Sequence, residues 1–95
     1  MPLETFPYDS AEYLDSDEAI AVYLDEAFLT QDPAFITHAI GGAARARGMT
    51  QIAKDAGLSR ESLYRALGEN GNPEFATVLK VAKALGLRLT AVAAE

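Results

Sequence analysis

The sequence predicts an all-α domain of five helices followed by one short β-strand. Apolar residues recur at helical spacing through most of the chain, and a residue able to cap a helix precedes each of these segments. Only residues 87–92 alternate in the manner of a strand. Ninety-five residues, 49% of them hydrophobic, suit one small domain close to the lower size limit for a self-sufficient core.

The amino-terminal third contains one predicted helix. Residues 1–9 lack periodicity and include two prolines, so an extended chain is expected there, and residues 11–14 can form a short helical turn. Ser16 is predicted to cap a helix that runs to about Leu29. Its apolar stripe consists of Ile20, Tyr23, Leu24, Ala27 and Phe28.

A second helix is predicted from Asp32-Pro33, a capping residue followed by proline at the first helical position, to about Gly48. Gly41 and Gly42 lie inside it, and each costs about 1 kcal/mol relative to Ala. A neighbouring helix that approaches closely would compensate for this cost. The residues expected to be buried are Ile36, Ala39, Ile40 and Ala43.

Residues 50–67 predict two short helices, at about 51–56 and 60–67, joined by a tight turn. Thr50 and Ser59 can each cap the helix that follows. Gly57 suits a turn through positive φ, and Ala53 is small where the two helices approach each other. The apolar contacts between them are expected from Ile52, Ala56, Leu58, Leu63 and Ala66.

The last helix is predicted to start at Asn72-Pro73 and to be closed by Gly86. Its expected core stripe is Phe75, Val78, Leu79, Ala82 and Leu85. Residues 87–92 are predicted to form a strand. A strand without a neighbour leaves its backbone N–H and C=O groups unpaired. It is therefore expected to pair with residues 3–8 or with the same strand of a second copy, and the sequence does not distinguish these alternatives.

The spacing of Ala53, Gly57 and Leu63 resembles the helix-turn-helix of the Cro and phage-repressor family, and Gln51 matches that family's frequent Gln. The whole chain is also similar to a group of addiction-module antidotes, the DNA-binding antitoxins of toxin–antitoxin pairs. Three stretches carry this closer resemblance: AEYLDS at 11–16, AARARGMTQ at 43–51 and GNPEFATVLKV at 71–81.

The resemblance implies a repressor-like helix-turn-helix bundle with an extra amino-terminal helix. Residues 33–95 would form the DNA-binding part, and residues 1–32 an acidic segment and helix within the same compact domain. It further implies a type II antitoxin that neutralises a small basic RelE/ParE-like toxin by direct binding. Such a protein would repress its own operon as a homodimer on a palindromic operator. The alternatives are a stand-alone phage-like repressor and an adaptor that binds only proteins.

The charge distribution divides the chain into two halves. The net charge is -6, yet residues 1–32 hold nine acidic residues and no Lys or Arg. The remainder therefore holds five acids and all eight bases, a balance of +3. Because local field rather than net charge decides contact with phosphates, the acidic total does not argue against DNA binding.

The second helix of the motif is expected to contact the base edges and so to recognise the DNA sequence. Arg60 or Arg65 can donate two hydrogen bonds to guanine O6 and N7. Glu61 can accept a hydrogen bond from cytosine N4 or hold an Arg side chain in place. Tyr64 can contact a thymine methyl group or a phosphate. Gln51 is expected to contact phosphate. The candidate residues are Gln51, Ser59, Arg60, Glu61, Tyr64, Arg65, Arg45 and Lys54, with Arg47 and Lys80 as further phosphate contacts. Alternatively, the turn serves packing alone and the arginines form a solvated face.

Aromatic and apolar residues are interleaved with acids in the amino-terminal third. The candidate partner-binding residues are Phe6, Tyr8, Tyr13, Leu14 and Tyr23. Such a surface suits a basic protein, and the resemblance identifies that protein as the toxin. The alternative is a solvated acidic helix that keeps a small domain soluble.

Catalytic, metal and cofactor sites are not expected. The segment from Asp15 to Glu26 resembles a calcium loop only faintly, because Ile20 stands where that loop needs Gly. His38 is the single histidine and is expected at the surface or an interface. The chain contains no cysteine, no signal peptide and no apolar stretch long enough to span a membrane, which favours a cytoplasmic protein.

Overall fold

A computed structural model describes residues 14–94, and this part of the chain is all-helical. The five helices are α1 (Asp17–Leu29), α2 (Pro33–Arg47), α3 (Met49–Ala56), α4 (Arg60–Ala66) and α5 (Phe75–Ala84). Helix α1 packs on α2, α2 on α3, and α3 on both α4 and α5. The predicted all-α class is confirmed. No helix in the described range is long and apolar enough to cross a membrane.

Local capping signals place the first two helices as predicted. The Ser16 hydroxyl accepts from the backbone N–H of Ala19 at 3.1 Å, which caps α1. Asp32 Oδ1 accepts from the backbone N–H groups of Ala34 at 3.1 Å and Phe35 at 3.4 Å, and α2 begins at the following proline. Both bonds satisfy amide groups that have no partner inside the helix.

The two glycines inside α2 lie where other parts of the chain approach it. A Cβ on Gly41 would lie 3.1 Å from the carbonyl oxygen of Leu67, just after α4. A Cβ on Gly42 would lie 3.2 Å from the Tyr23 hydroxyl of α1. The predicted close approach is confirmed, and it compensates for the low helix propensity of glycine.

The core lies between the helices and includes every buried position predicted for α2 except Ile36, which is half-buried. Ile20, Leu63, Val81 and Leu85 are its largest fully buried side chains. The remaining members are Leu14, Leu24, Ala27, Ala39, Ile40, Ala43, Ala44, Met49, Ile52, Ala53, Ala56 and Leu67.

The prediction that Thr50 caps α3 is wrong. Helix α3 begins two residues earlier than predicted, at Met49, and no side chain caps it. Gly48 ends α2 and begins α3 with φ of 103°, and its N–H bonds the carbonyls of Ala44 and Arg45. A single residue therefore turns the chain from α2 into α3, and Thr50 lies exposed in the first turn of α3.

Helix α5 differs from its prediction at the start and agrees at the end. It begins at Phe75 after Glu74, and Asn72 provides no cap. At its end, Leu87 N–H bonds Ala82 O and Gly86 N–H bonds Lys83 O, both at 2.9 Å. This pair of bonds is the Schellman arrangement, and Gly86 supports it with φ of 82°.

The predicted apolar stripes of α1 and α5 are wider than the faces that pack. Ala82 and Leu85 of the predicted α5 stripe are buried, as is Val81, which the prediction omitted, but Phe75 is 70% exposed and Leu79 is 43% exposed. Phe28 of α1 is likewise partly exposed. Helix α5 packs mainly on α3, so apolar residues on its other side remain uncovered.

The predicted strand over residues 87–92 is wrong for the described chain, which has no strand between residues 14 and 94. A strand exists only through backbone bonds to another strand, and this range supplies none. Residues 3–8, one of the two predicted partners, lie outside the described residues, as do residues 1–9, predicted to be extended, and most of the turn predicted at 11–14.

Candidate functional site

Helices α3 and α4 are joined by a three-residue turn whose geometry follows from Gly57. This residue has φ of 74°, and the following N–H, that of Leu58, bonds Ala53 O at 2.8 Å. Ala53 is 3% exposed. The hydrogen bond from Leu58 to Ala53 fixes the turn, and the small side chain of Ala53 lets the two helices approach closely. Together they set the direction of α4 relative to α3.

Ser59 caps α4. Its hydroxyl oxygen accepts from the backbone N–H of Ser62 at 3.0 Å, and the hydroxyl lies 2.9 Å from the Ser62 hydroxyl oxygen, to which it donates. The predicted capping role is confirmed. Since the hydroxyl is occupied within the helix, Ser59 positions α4 rather than offering an unused group on its surface.

Replacing Ser59 by Ala is expected to lower the free energy of unfolding by about 1 kcal/mol, because one amide of the first turn loses its acceptor. Thr50→Ala is the matched control: Thr50 is also a hydroxyl residue near the start of a helix, but it caps nothing. It should change stability by less than about 0.5 kcal/mol. Urea unfolding of both variants measures the difference, and equal losses would contradict the assigned cap.

The outward face of α4 carries Arg60, Glu61, Tyr64 and Arg65, all exposed. The Arg60 guanidinium lies 5.4 Å from the centroid of the Tyr64 ring, and its Nη2 donates to the Tyr64 hydroxyl at 3.4 Å. Neither Glu61 nor Arg65 forms a salt bridge within residues 14–94. Arg65 is therefore the arginine on this face that no neighbouring side chain in the described range holds.

The other predicted DNA-binding residues are exposed but differ in their surroundings. Gln51 donates from Nε2 to Asp55 Oδ1 at 2.9 Å, one turn along α3. Lys54 is exposed on the same helix, and Arg45 lies over Gly41 on α2. Arg47 forms a salt bridge with Asp17, which links the end of α2 to the start of α1. Lys80 is exposed on α5, apart from this group.

The two predicted partner-binding residues that the structure describes, Leu14 and Tyr23, do not form an exposed surface. Leu14 is 4% exposed and belongs to the core. Tyr23 is half-buried and packs against that core. Phe6, Tyr8 and Tyr13 lie outside the described residues. The two described members therefore stabilise the domain, and the exposed apolar surface of residues 14–94 lies elsewhere.

Such a surface is formed by α1, α5 and the chain after α5. It is a groove of about 1010 Å³, and we call it the apolar groove. Its exposed apolar side chains are Val22, Phe28, Leu29, Phe75 and Leu79, and residues 87–90 complete it. Sequence reasoning missed it, although Val22 and Leu29 lie two helical turns apart and outside the predicted stripe of α1.

The single histidine and most of the weak calcium-loop match lie on helices. His38 is exposed on α2, as expected for a surface histidine. The segment between Asp17 and Glu26 is helical rather than a calcium loop. Within residues 14–94, no three His, Asp or Glu side chains come together as metal ligands would.

Comparison with known proteins identifies the family. The chain is 54% identical over 81 residues to an uncharacterized protein of Haemophilus influenzae, covering 85% of this chain and 84% of that protein. No solved structure gives a significant match. The family model described as "Probable addiction module antidote protein" matches residues 4–93. The match extends over nearly the whole sequence, and the chain therefore belongs to this antidote family.

Proposed function

We propose that this protein is the antitoxin of a type II toxin–antitoxin module, that it binds a RelE/ParE-like toxin directly, and that it represses its own operon. Membership of the antidote family implies a toxin partner. The observation that supports the DNA-binding half is the arrangement of α4: Leu63 is fully buried beneath it, while Arg60 and Arg65 are exposed above it. In this proposal the protein acts by binding, in the cytoplasm, and not as an enzyme.

Helices α3 and α4 would act as a helix-turn-helix of the Cro and phage-repressor type. The amino-terminal part of α4 would enter the major groove, and α3 would lie across the phosphate backbone. A homodimer would place two α4 helices in successive major grooves, about 34 Å apart, which matches a palindromic operator. The basic balance of residues 33–95 supports the approach to phosphate.

The side chains on α4 would make different contacts with the DNA. Arg65 has no side-chain partner in residues 14–94, so its planar guanidinium is available for guanine O6 and N7. Arg60 stacks on Tyr64, and this pair would act as one unit on a thymine methyl or a phosphate. Gln51 at the start of α3 would contact phosphate after giving up its bond to Asp55.

Two substitutions separate base reading from phosphate contact. Arg65→Ala is expected to cost about 1–3 kcal/mol on the operator and to relax the preference at particular base pairs. Gln51→Ala should weaken all DNA sequences alike, because phosphates carry no sequence information. Fluorescence anisotropy on the chain's own upstream DNA, with single base pairs exchanged, measures both. A uniform loss for Arg65→Ala would show that Arg65 contacts only phosphate.

Two further measurements test the function as a whole. The affinity for upstream DNA should fall with salt, with a slope of log K on log salt of about 0.9 per phosphate neutralised. A protein that does not bind this DNA even at low salt would be an adaptor for proteins alone. Co-purification with the product of the adjacent open reading frame tests the antitoxin role, and failure to form a complex would favour a stand-alone repressor.

A further inference from the structure

We infer that the apolar groove between α1 and α5 is the docking surface for a basic partner protein, the toxin of the proposed function, on which this inference rests. Two of its members, Leu29 at 76% exposed and Phe75 at 70% exposed, are among the most exposed large apolar side chains in residues 14–94. Clustered apolar exposure of this kind marks interaction surfaces, whereas single exposed apolar residues do not.

The charges around the groove favour a basic occupant. Asp25 and Glu26 of α1 line it, and Arg88 is the one basic residue among its described lining residues. Helix α1 as a whole carries four acidic residues and no Lys or Arg. A partner that places an apolar ridge in the groove and Lys or Arg at its rim would complement both features.

A second copy of this chain fits the groove less well. Identical subunits around a two-fold axis place the same patch on both sides of the interface. The groove is lined by two acidic residues and one basic residue, so two copies would bring an excess of acids to a common interface, and like charges in apposition oppose association.

The position of the groove is compatible with simultaneous binding of DNA. None of the outward residues of α4 lines it, and α4 packs on α3, which contributes no residue to the groove. A toxin in the groove would leave Arg60 and Arg65 uncovered. The protein would thus present two separate faces, one for nucleic acid and one for a protein.

The test is an alanine substitution with a matched control. Phe75→Ala removes an aromatic side chain from the groove, and Phe35→Ala removes one that is 48% exposed on α2, outside the groove. The probe is the purified protein encoded by the adjacent open reading frame, titrated by isothermal calorimetry. Phe75→Ala should raise Kd at least about tenfold, and Phe35→Ala should change it less than about twofold. Unchanged melting curves exclude unfolding as the cause.

A charge reversal tests the second half of the inference. Asp25→Lys should weaken binding of the probe at low salt. The difference in affinity from the wild type should shrink as salt rises, because salt screens the attraction between Asp25 and a basic partner. Glu69→Lys, in the exposed loop after α4, is its control and should bind as the wild type does.

The outcomes separate this inference from the proposed function. A wild-type protein that does not bind the probe at all would overturn the antitoxin role and the docking surface with it. Binding that Phe75→Ala and Asp25→Lys leave unchanged would overturn the docking surface alone. Sedimentation velocity tests whether a second copy of the chain occupies the groove instead. If Phe75→Ala and Asp25→Lys convert a dimer to a monomer but leave the Kd for the probe unchanged, the groove is the dimer interface.

Discussion

Leu63→Ala is expected to lower the free energy of unfolding by about 2–5 kcal/mol, because it leaves a cavity under α4. Leu63 is fully buried and points from α4 into the core. Domains of this size are stabilised by only about 5–15 kcal/mol, so the loss is a large fraction of the total. Urea unfolding followed by circular dichroism measures it as a lower midpoint with an unchanged slope.

The adjacent residue provides the control. Tyr64 is 44% exposed and contacts the Arg60 guanidinium on the outer face of α4. Tyr64→Ala should cost less than about 1 kcal/mol, since it opens no cavity and breaks one exposed contact. Under the proposed function, the effects on operator binding should be reversed when both variants are folded: Tyr64→Ala should weaken it, whereas Leu63→Ala should retain it. Equal losses of stability would mean that α4 does not pack through Leu63.

Predictions that rested on local bonding were the most successful part of the sequence analysis. Ser16, Asp32 and Ser59 each cap the helix they were expected to cap, and Gly57 and Gly86 both adopt positive φ. A cap depends on residues within one turn of itself, so the sequence around it contains nearly all the relevant information.

Predictions that depended on contacts between distant segments were less successful. Thr50 is an exception with a local cause, since Gly48, two residues earlier, already turns the chain and leaves Thr50 inside the first turn of α3. Phe75 and Leu79 follow helical spacing, yet burial requires a neighbour, and α5 is covered mainly on its α3 side. The strand over 87–92 needed a second strand, which local alternation cannot supply.

The candidate site divides in the same way. The outward set on α4 was predictable because it follows from one helix with one buried face. The apolar groove combines residues from three segments far apart in sequence, and no single segment reveals it. Leu14 was expected on a partner surface because it lies among acids, whereas its burial depends on how the chain entering α1 meets the core.

Gly71→Ala is expected to destabilise the protein by about 3 kcal/mol, the upper part of the range for overpacking. Gly71 lies in the loop after α4, and its N–H bonds Gly68 O at 2.9 Å. A Cβ there would overlap the carbonyl group of Ala66 and lie 2.8 Å from the carbonyl oxygen of Arg65. These are backbone atoms at the end of α4, so relief requires moving either the helix or the loop. We expect a melting temperature lower by more than about 10 °C.

Gly57→Asn is the control for Gly71→Ala. It tests whether the loss of stability comes from the overlap at position 71 or from replacing any glycine of this region. Gly57 has φ of 74°, and a Cβ there would meet nothing within 4 Å. Asn tolerates the left-handed region, so this larger side chain should cost less than about 1 kcal/mol. Thermal unfolding should therefore rank the smaller substitution at position 71 as the more damaging one. The reverse order would show that the loop after α4 yields easily and that the α3–α4 turn is the constrained element. Under the proposed function, a displaced α4 would also move Arg65 relative to the DNA while leaving Gln51 on α3 in place.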